Sequence, residues 1–175
     1  VLAVAVTLSA CLAAPPEEQA GISSADRNNA FRGIPFGTPL EEVRKKWDLT
    51  PVGDSPADDP LKLFIKNDEV RAIGNLTLQE VTYYFFQGKF YGVEIVTPDT
   101  RQTETLRQAL EIAYGRPPFA GNSPDAVAWP GDHVSTLLIM SPLSGEGRTF
   151  LFSNPIQSGY EAYFLESARK TATQL

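Results

Sequence analysis

The chain has 175 residues, 42% hydrophobic and 21% charged, with 15 Lys and Arg against 21 Asp and Glu for a formal charge of -6. That size and composition fit one globular domain with a short extension, long enough to bury a core without staples. The acidic balance argues against nucleic acid as a partner, which needs a basic footprint. One Cys and one His exclude an internal disulfide and a Cys/His zinc site, and argue against a Cys–His catalytic pair.

The first segment, Val1 to Ala10, is apolar and ends in small residues. It is too short to cross a bilayer, which takes about 20 residues, and reads as the remnant of a secretory signal. Leu8-Ser9-Ala10-Cys11 resembles the bacterial lipobox, in which the Cys thiol takes a diacylglycerol and becomes the new N-terminus. The resemblance implies a palmitate-type acyl anchor on Cys11, each buried CH₂ contributing about 0.8 kcal/mol to membrane binding. Leu12, where an Asp would favour the inner membrane in that class, implies the outer membrane. Residues 11–30, with Pro15-Pro16-Glu17-Glu18 and Ser23-Ser24, are small, polar and Pro/Gly-punctuated, and read as a flexible tether.

A single domain is expected over 31–175. Thr38-Pro39-Leu40-Glu41 predicts a helix start with Thr38 as cap, Pro39 in the first turn and Glu41 closing a capping box. Leu40, Val43 and Trp47 share its apolar face, and Pro51 is its expected stop. Asp54, Asp58 and Asp59 lie in a loop whose spacing does not match a calcium loop. Leu61–Ile65 reads as a strand, with a further short segment over Val70–Ile73.

Leu78–Phe86 and Phe90–Thr97 are two β-branched and aromatic runs joined at Gln87-Gly88-Lys89, and predict a hairpin. A three-residue loop with Gly88 left-handed pairs Tyr83 with Tyr91. Val81, Tyr83, Phe85, Tyr91, Val93 and Ile95 then share the inward face, because a one-residue slip would turn a whole apolar set the wrong way. Tyr84 and Phe90, with Phe86 nearby, fall on the opposite face and form the candidate binding surface. The competing reading has the tether, Phe31–Ile34 or the last helix covering them.

Asp99 caps a helix with Leu106, Ala109, Leu110 and Ala113 as its stripe, stopped by Gly115 and Pro117-Pro118. Residues 119–125 form a loop. Strands follow at Val127–Trp129, His133–Met140 and Arg148–Phe152. Pro155 opens a last helix, with Tyr160, Tyr163, Phe164 and Ala168 as its docking side and a frayed tail after Lys170. The expected fold is α+β: an antiparallel sheet of about six strands with helices packed on one face, in the order helix, three or four strands, helix, three strands, helix.

The run Phe31-Arg-Gly-Ile-Pro-Phe36-Gly-Thr-Pro-Leu-Glu-Glu-Val43, with Tyr83–Phe86, Gly88–Tyr91, Tyr114-Gly-Arg-Pro117 and Trp129, resembles a set of uncharacterised bacterial envelope lipoproteins over roughly Phe31–Phe152. Phe36 stands where Trp is usual there. In architecture the chain is also similar to small lipoproteins of the outer-membrane barrel assembly machine and to β-lactamase-inhibitor-like domains. Neither resemblance brings a catalytic residue with it.

His133 stands beside Asp132 without a second His or a Cys, so a structural or exposed role outweighs a catalytic one. No nucleophile elbow, dinucleotide fingerprint or phosphate loop is present, and no metal site or cofactor is expected. The leading expectation is a non-enzymatic lipoprotein of the cell envelope. Lipidated at Cys11, it would face the periplasm from the outer membrane and bind an envelope protein as partner or assembly accessory. The rival readings are a small envelope hydrolase around His133 and an apolar-ligand carrier, which needs a cavity of about 300 Å³ or more.

Overall fold

The computed structural model describes residues 29–54, 56, 58–120 and 125–172. Cys11, the signal-like run and the tether up to residue 28 lie outside the described residues, as do 121–124 of the expected loop and 173–175 of the tail.

The fold opens with a hairpin of β1 (Ala30–Phe31) and β2 (Ile34–Pro35), followed by the one-turn helix α1 (Leu40–Arg44). Next come β3 (Leu49–Pro51), β4 (Leu61–Lys66), a small hairpin of β5 (Ala72–Ile73) and β6 (Leu76–Thr77), then β7 (Glu80–Phe86) and β8 (Lys89–Thr97). Helix α2 (Thr100–Tyr114) leads into β9 (Phe119–Ala120), β10 (Ala126–Trp129), β11 (Val134–Met140) and β12 (Gly147–Ser153). The last element is α3 (Asn154–Ala172). Eight strands form one antiparallel sheet in the order β3-β4-β7-β8-β12-β11-β10-β9. The architecture is therefore α+β, as expected, but the sheet is wider than six strands. The additions are its short edges β3 and β9, too brief to show a period of two.

The expected helix at Thr38 starts differently. The Thr38 hydroxyl donates to the Pro35 carbonyl at 2.7 Å and α1 has no side-chain cap. Its backbone is tied to the β7–β8 hairpin instead: Gly37 N–H donates to Phe90 O, Phe90 N–H to Thr38 O and Leu40 N–H to Gly88 O, at 2.7–2.8 Å. With Leu40 N–H satisfied by that turn, a hydroxyl cap has less left to do. The helix ends at Arg44 and Pro51 closes an edge strand rather than stopping a helix. Helix α2 keeps its expected ends. The Asp99 carboxylate accepts Gln102 N–H at 2.9 Å, and Gly115, at φ 84°, ends the helix. Ala109 and Ala113 are exposed, so Thr103, Leu106 and Leu110 carry the buried stripe.

The hairpin register departs from expectation in an instructive way. The turn has two residues, Gln87 (φ 48°) and Gly88 (φ 74°), both left-handed, which suits the right-handed twist of paired strands. Phe86 pairs with Lys89 and Phe85 with Phe90, yet Tyr84 pairs with Gly92 and Tyr83 with Val93. Tyr91 is the extra residue of a β-bulge. The bulge exchanges the two aromatic neighbours: Phe90 turns inward and is fully buried, and Tyr91 turns outward, against expectation for both. Gly92 follows because a Cβ there would lie 2.7 Å from the Leu151 carbonyl on the neighbouring β12.

The core lies on one side of the sheet. Val81, Tyr83, Phe85, Phe90, Val93 and Ile95 meet Phe31, Ile34 and Phe36 of the first hairpin segment, Val43 and Trp47 around α1, and Leu106 and Leu110 of α2. Tyr83 and Phe90 centre an aromatic group, with Trp47 4.9 Å from Tyr83 and Phe36 5.0 Å from Phe90 between ring centroids. Trp129 closes the far end, its indole N–H donating to Gly115 O at 2.9 Å. Arg32 pins the first hairpin to the rest. It pairs with Glu69 at 2.8 Å and donates to Val70 O at 2.6 Å, while Tyr83 donates to the same Glu69 carboxylate at 2.5 Å.

Helix α3 lies on the other side, which corrects the expectation of helices on one face only. Its Tyr160 ring stacks near Phe86 (5.6 Å) and Tyr91 (6.0 Å), both outward residues of the β7–β8 hairpin.

Candidate functional site

The outer face follows from strand alternation. The pairs Leu61–Phe86 and Leu63–Tyr84, and Phe150–Glu94 and Phe152–Gly92, bring Leu61, Leu63, Tyr84, Phe86, Phe150 and Phe152 to one surface, with Tyr91 added by the bulge. Leu137 and Ile139 continue it on β11 opposite Phe150 and Arg148. Among the described residues α3 is the element that lies over this face, which mixes aromatic and aliphatic side chains with Glu80, Thr82, Glu94 and Arg148.

Its polar groups are paired. The Tyr84 hydroxyl donates to Glu94 at 2.7 Å and Arg148 donates to the other Glu94 oxygen at 2.9 Å. Burial, and then the hydrogen bond to Glu94, push the Tyr84 hydroxyl above its ordinary range. Burial also pushes Tyr91 up to about 12, with Tyr160 and Glu161 adding to it. The hydrogen bond to Glu94 makes the Arg148 guanidinium hold its charge more tightly.

The three residues expected to form a binding surface are not equivalent. Phe90 is wholly buried in the core and offers no surface. Phe86 is on the outer face but only 3% exposed, roofed by Tyr160 and Tyr163 of the last helix. Tyr84 remains half-buried beside a notch of about 180 Å³ walled by Tyr91, Phe152 and Tyr160. Its small size falls short of the roughly 300 Å³ a small-molecule site takes.

A surface that sequence reading missed is on α3 itself. Tyr163, Phe164 and Leu165 are 42%, 60% and 58% exposed in succession. Phe164 and Ala168 were expected to dock; both are exposed. The signal available was the width of the apolar set. Tyr160, Tyr163, Phe164 and Leu165 span more of the helix circumference than one docked face can hold.

A cleft of about 670 Å³ lies on the opposite side of the sheet, between α2 and β10–β11. Its rim is charged, with Glu104, Arg107, Glu111, Arg116 and Asp125 around a floor containing Val127 and Leu138. Arg107 is held between Glu104 and Glu111 on its own helix. His133 is exposed ahead of β11 and lines neither of these cavities; its carbonyl accepts Asn154 N–H at 2.9 Å. Among the described residues no group of three or more His, Cys, Asp or Glu could hold a metal ion. No described helix is long and apolar enough to cross a membrane.

No family model, curated protein or solved structure matches the chain.

Proposed function

We propose that this chain is a lipid-anchored protein of the bacterial cell envelope, held to the outer membrane through Cys11. Its folded domain faces the periplasm and binds a protein there without catalysing a reaction. For the anchor, the support is the Leu8-Ser9-Ala10-Cys11 box followed directly by a Pro/Glu/Ser tether. For the binding role, the observation that carries the reading is the exposed Tyr163-Phe164-Leu165 run on a helix docked over an aromatic sheet face. Exposed contiguous apolar side chains of this kind mark contact surfaces. The resemblance to envelope lipoproteins points the same way.

In a Met-initiated full-length precursor, Cys11→Ser should move the protein from the membrane to the soluble fraction while the domain stays folded, because the core is built from residues 31–151. Flotation after a high-salt wash, with circular dichroism of the released protein, checks this. A Ser variant that still floats with membranes would remove the anchor.

A further inference from the structure

We infer that α3 is a self-association element: it pairs antiparallel with α3 of a second copy of this chain. This deepens the reading of α3 as a contact surface by naming the occupant, and rests on that reading.

The side of α3 turned to the sheet carries Gly159, Tyr160 and Tyr163, where a Cβ on Gly159 would touch the Phe86 ring at 3.7 Å and both tyrosine rings pack near Phe86. At 100° per residue the opposite side carries Ser158, Glu161, Leu165, Ala168 and Ala172. Their spacing, three then four repeated, sets them in one line along the helix, with Leu165 its one large apolar side chain and Ala168 and Ala172 its small ones. Leu165 is at its middle, more than half exposed, and Ala162, Ala168 and Ala172 beside it are small enough for a second helix to approach.

Charge selects the orientation. Glu161 lies four residues before Leu165 and Arg169 four residues after it. In an antiparallel pair related by a two-fold axis at Leu165, each Glu161 is level with Arg169 of the other copy, giving two opposite-charge pairs. A parallel pair would set Glu161 against Glu161 and Arg169 against Arg169. Among the described residues Arg169 has no partner within its own chain, whereas Glu166 and Lys170, on the side of Tyr163, are paired with each other at 2.7 Å. A bilayer is a poorer occupant. Glu161 and Glu166 bracket Phe164 and Leu165, so an anionic lipid surface would repel the helix at the point where its apolar residues would enter. The line from Ser158 to Ala172 gives a contact about 21 Å long, in the class of weak interfaces. Tethering to one membrane would raise its occupancy through effective concentration.

The test uses the full chain in a Cys11→Ser background, where an added thiol is the only one. Oxidation of Leu165→Cys should give a disulfide-linked dimer, and Ile112→Cys on α2, at an 88% exposed position, should stay monomeric. Added to Leu165→Cys, either Glu161→Arg or Arg169→Glu should lower the dimer yield roughly tenfold, and the two together should restore it. Within one helix these positions are about 12 Å apart along the axis, so restoration cannot come from an internal pair. A monomer under oxidation, or a double swap no better than the single ones, overturns the inference. Protection of the Leu165→Cys thiol from maleimide only by anionic vesicles, or only by envelope extract, would also overturn it. Either result would leave α3 a contact surface for lipid or for another protein. A thiol that reacts as fast as the exposed Ile112→Cys thiol when alone, with vesicles and with extract would remove both readings.

Discussion

The two faces of the sheet are made by the same strands, yet one is sealed and the other is half open. On the inner face Val81, Tyr83, Phe85, Phe90, Val93 and Ile95 are each 3% exposed or less. They are roofed by the first hairpin, by α1 and by α2, three separate covers. On the outer face Tyr84, Tyr91, Phe150 and Phe152 are only partly buried, and the cover found among the described residues, α3, carries its own exposed apolar residues. Strand composition and cover agree: on β7 and β8 the inner face carries no charged residue, whereas the outer face carries Glu80, Lys89 and Glu94. The outer face also has fewer covering elements among the described residues, and aromatic residues with polar ends suit it.

The strongest way to break this comparison is a pair of truncations at adjacent residues. Phe90→Ala should cost about 3–5 kcal/mol, as large-to-small aromatic changes in cores do. Tyr91→Ala, on the other side of the bulge, should cost about 1–2 kcal/mol because less area leaves water there. Paired urea melts measure both, and equal losses would erase the difference between the faces.

A second effect appears in alkali. The folded state holds the Tyr91 proton up to about 12 against an ordinary value of 10. The unfolded chain ionises first, so this contribution is fully present below pH 10 and is lost as pH rises from 10 to about 12. Tyr83 and Tyr84 shift in the same direction, mainly through burial. Tyr91→Phe should flatten the fall in stability over that window, as followed by denaturant melts at stepped pH. An unchanged slope would mean that the outer-face hydroxyl is as well solvated folded as unfolded.

The smallest effect is expected at the free side of α3. Phe164→Ala should change stability by no more than about 0.5 kcal/mol, since exposed positions rarely matter more. A thermal melt checks this. A loss matching that of Tyr91→Ala would make the residue part of the fold rather than of a surface.

What could be read in the sequence was local. Asp99 and Gly115 mark α2 because capping uses one side chain and one backbone freedom, both visible as residue types. The strands of the β7–β8 hairpin are visible in their β-branched and aromatic runs. The bulge is not, because Phe90 and Tyr91 are both aromatic and either can face inward; tight packing of Gly92 against Leu151, a contact between distant segments, accompanies the observed register. Thr38 has the residue type of a cap, but long-range bonds to the hairpin turn satisfy the helix start in its place. The candidate surface was legible only in part. Tyr84 and Phe86 were placed on the correct face, whereas the exposed side of α3 depends on where the helix docks.

One junction has a mechanical meaning. Ser153 ends β12 and Asn154 begins α3 with no residue between them. The corner is clamped from both backbone and side chain, by Asn154 N–H on His133 O at 2.9 Å and the Asn154 amide on Gly131 O at 2.6 Å. β12 is hydrogen-bonded on both sides, to β8 and to β11. A load applied to α3 therefore enters the middle of the sheet without slack and is shared by two ladders in shear. The helix is a cantilever rooted in a central strand, so whatever grips it orients the whole domain.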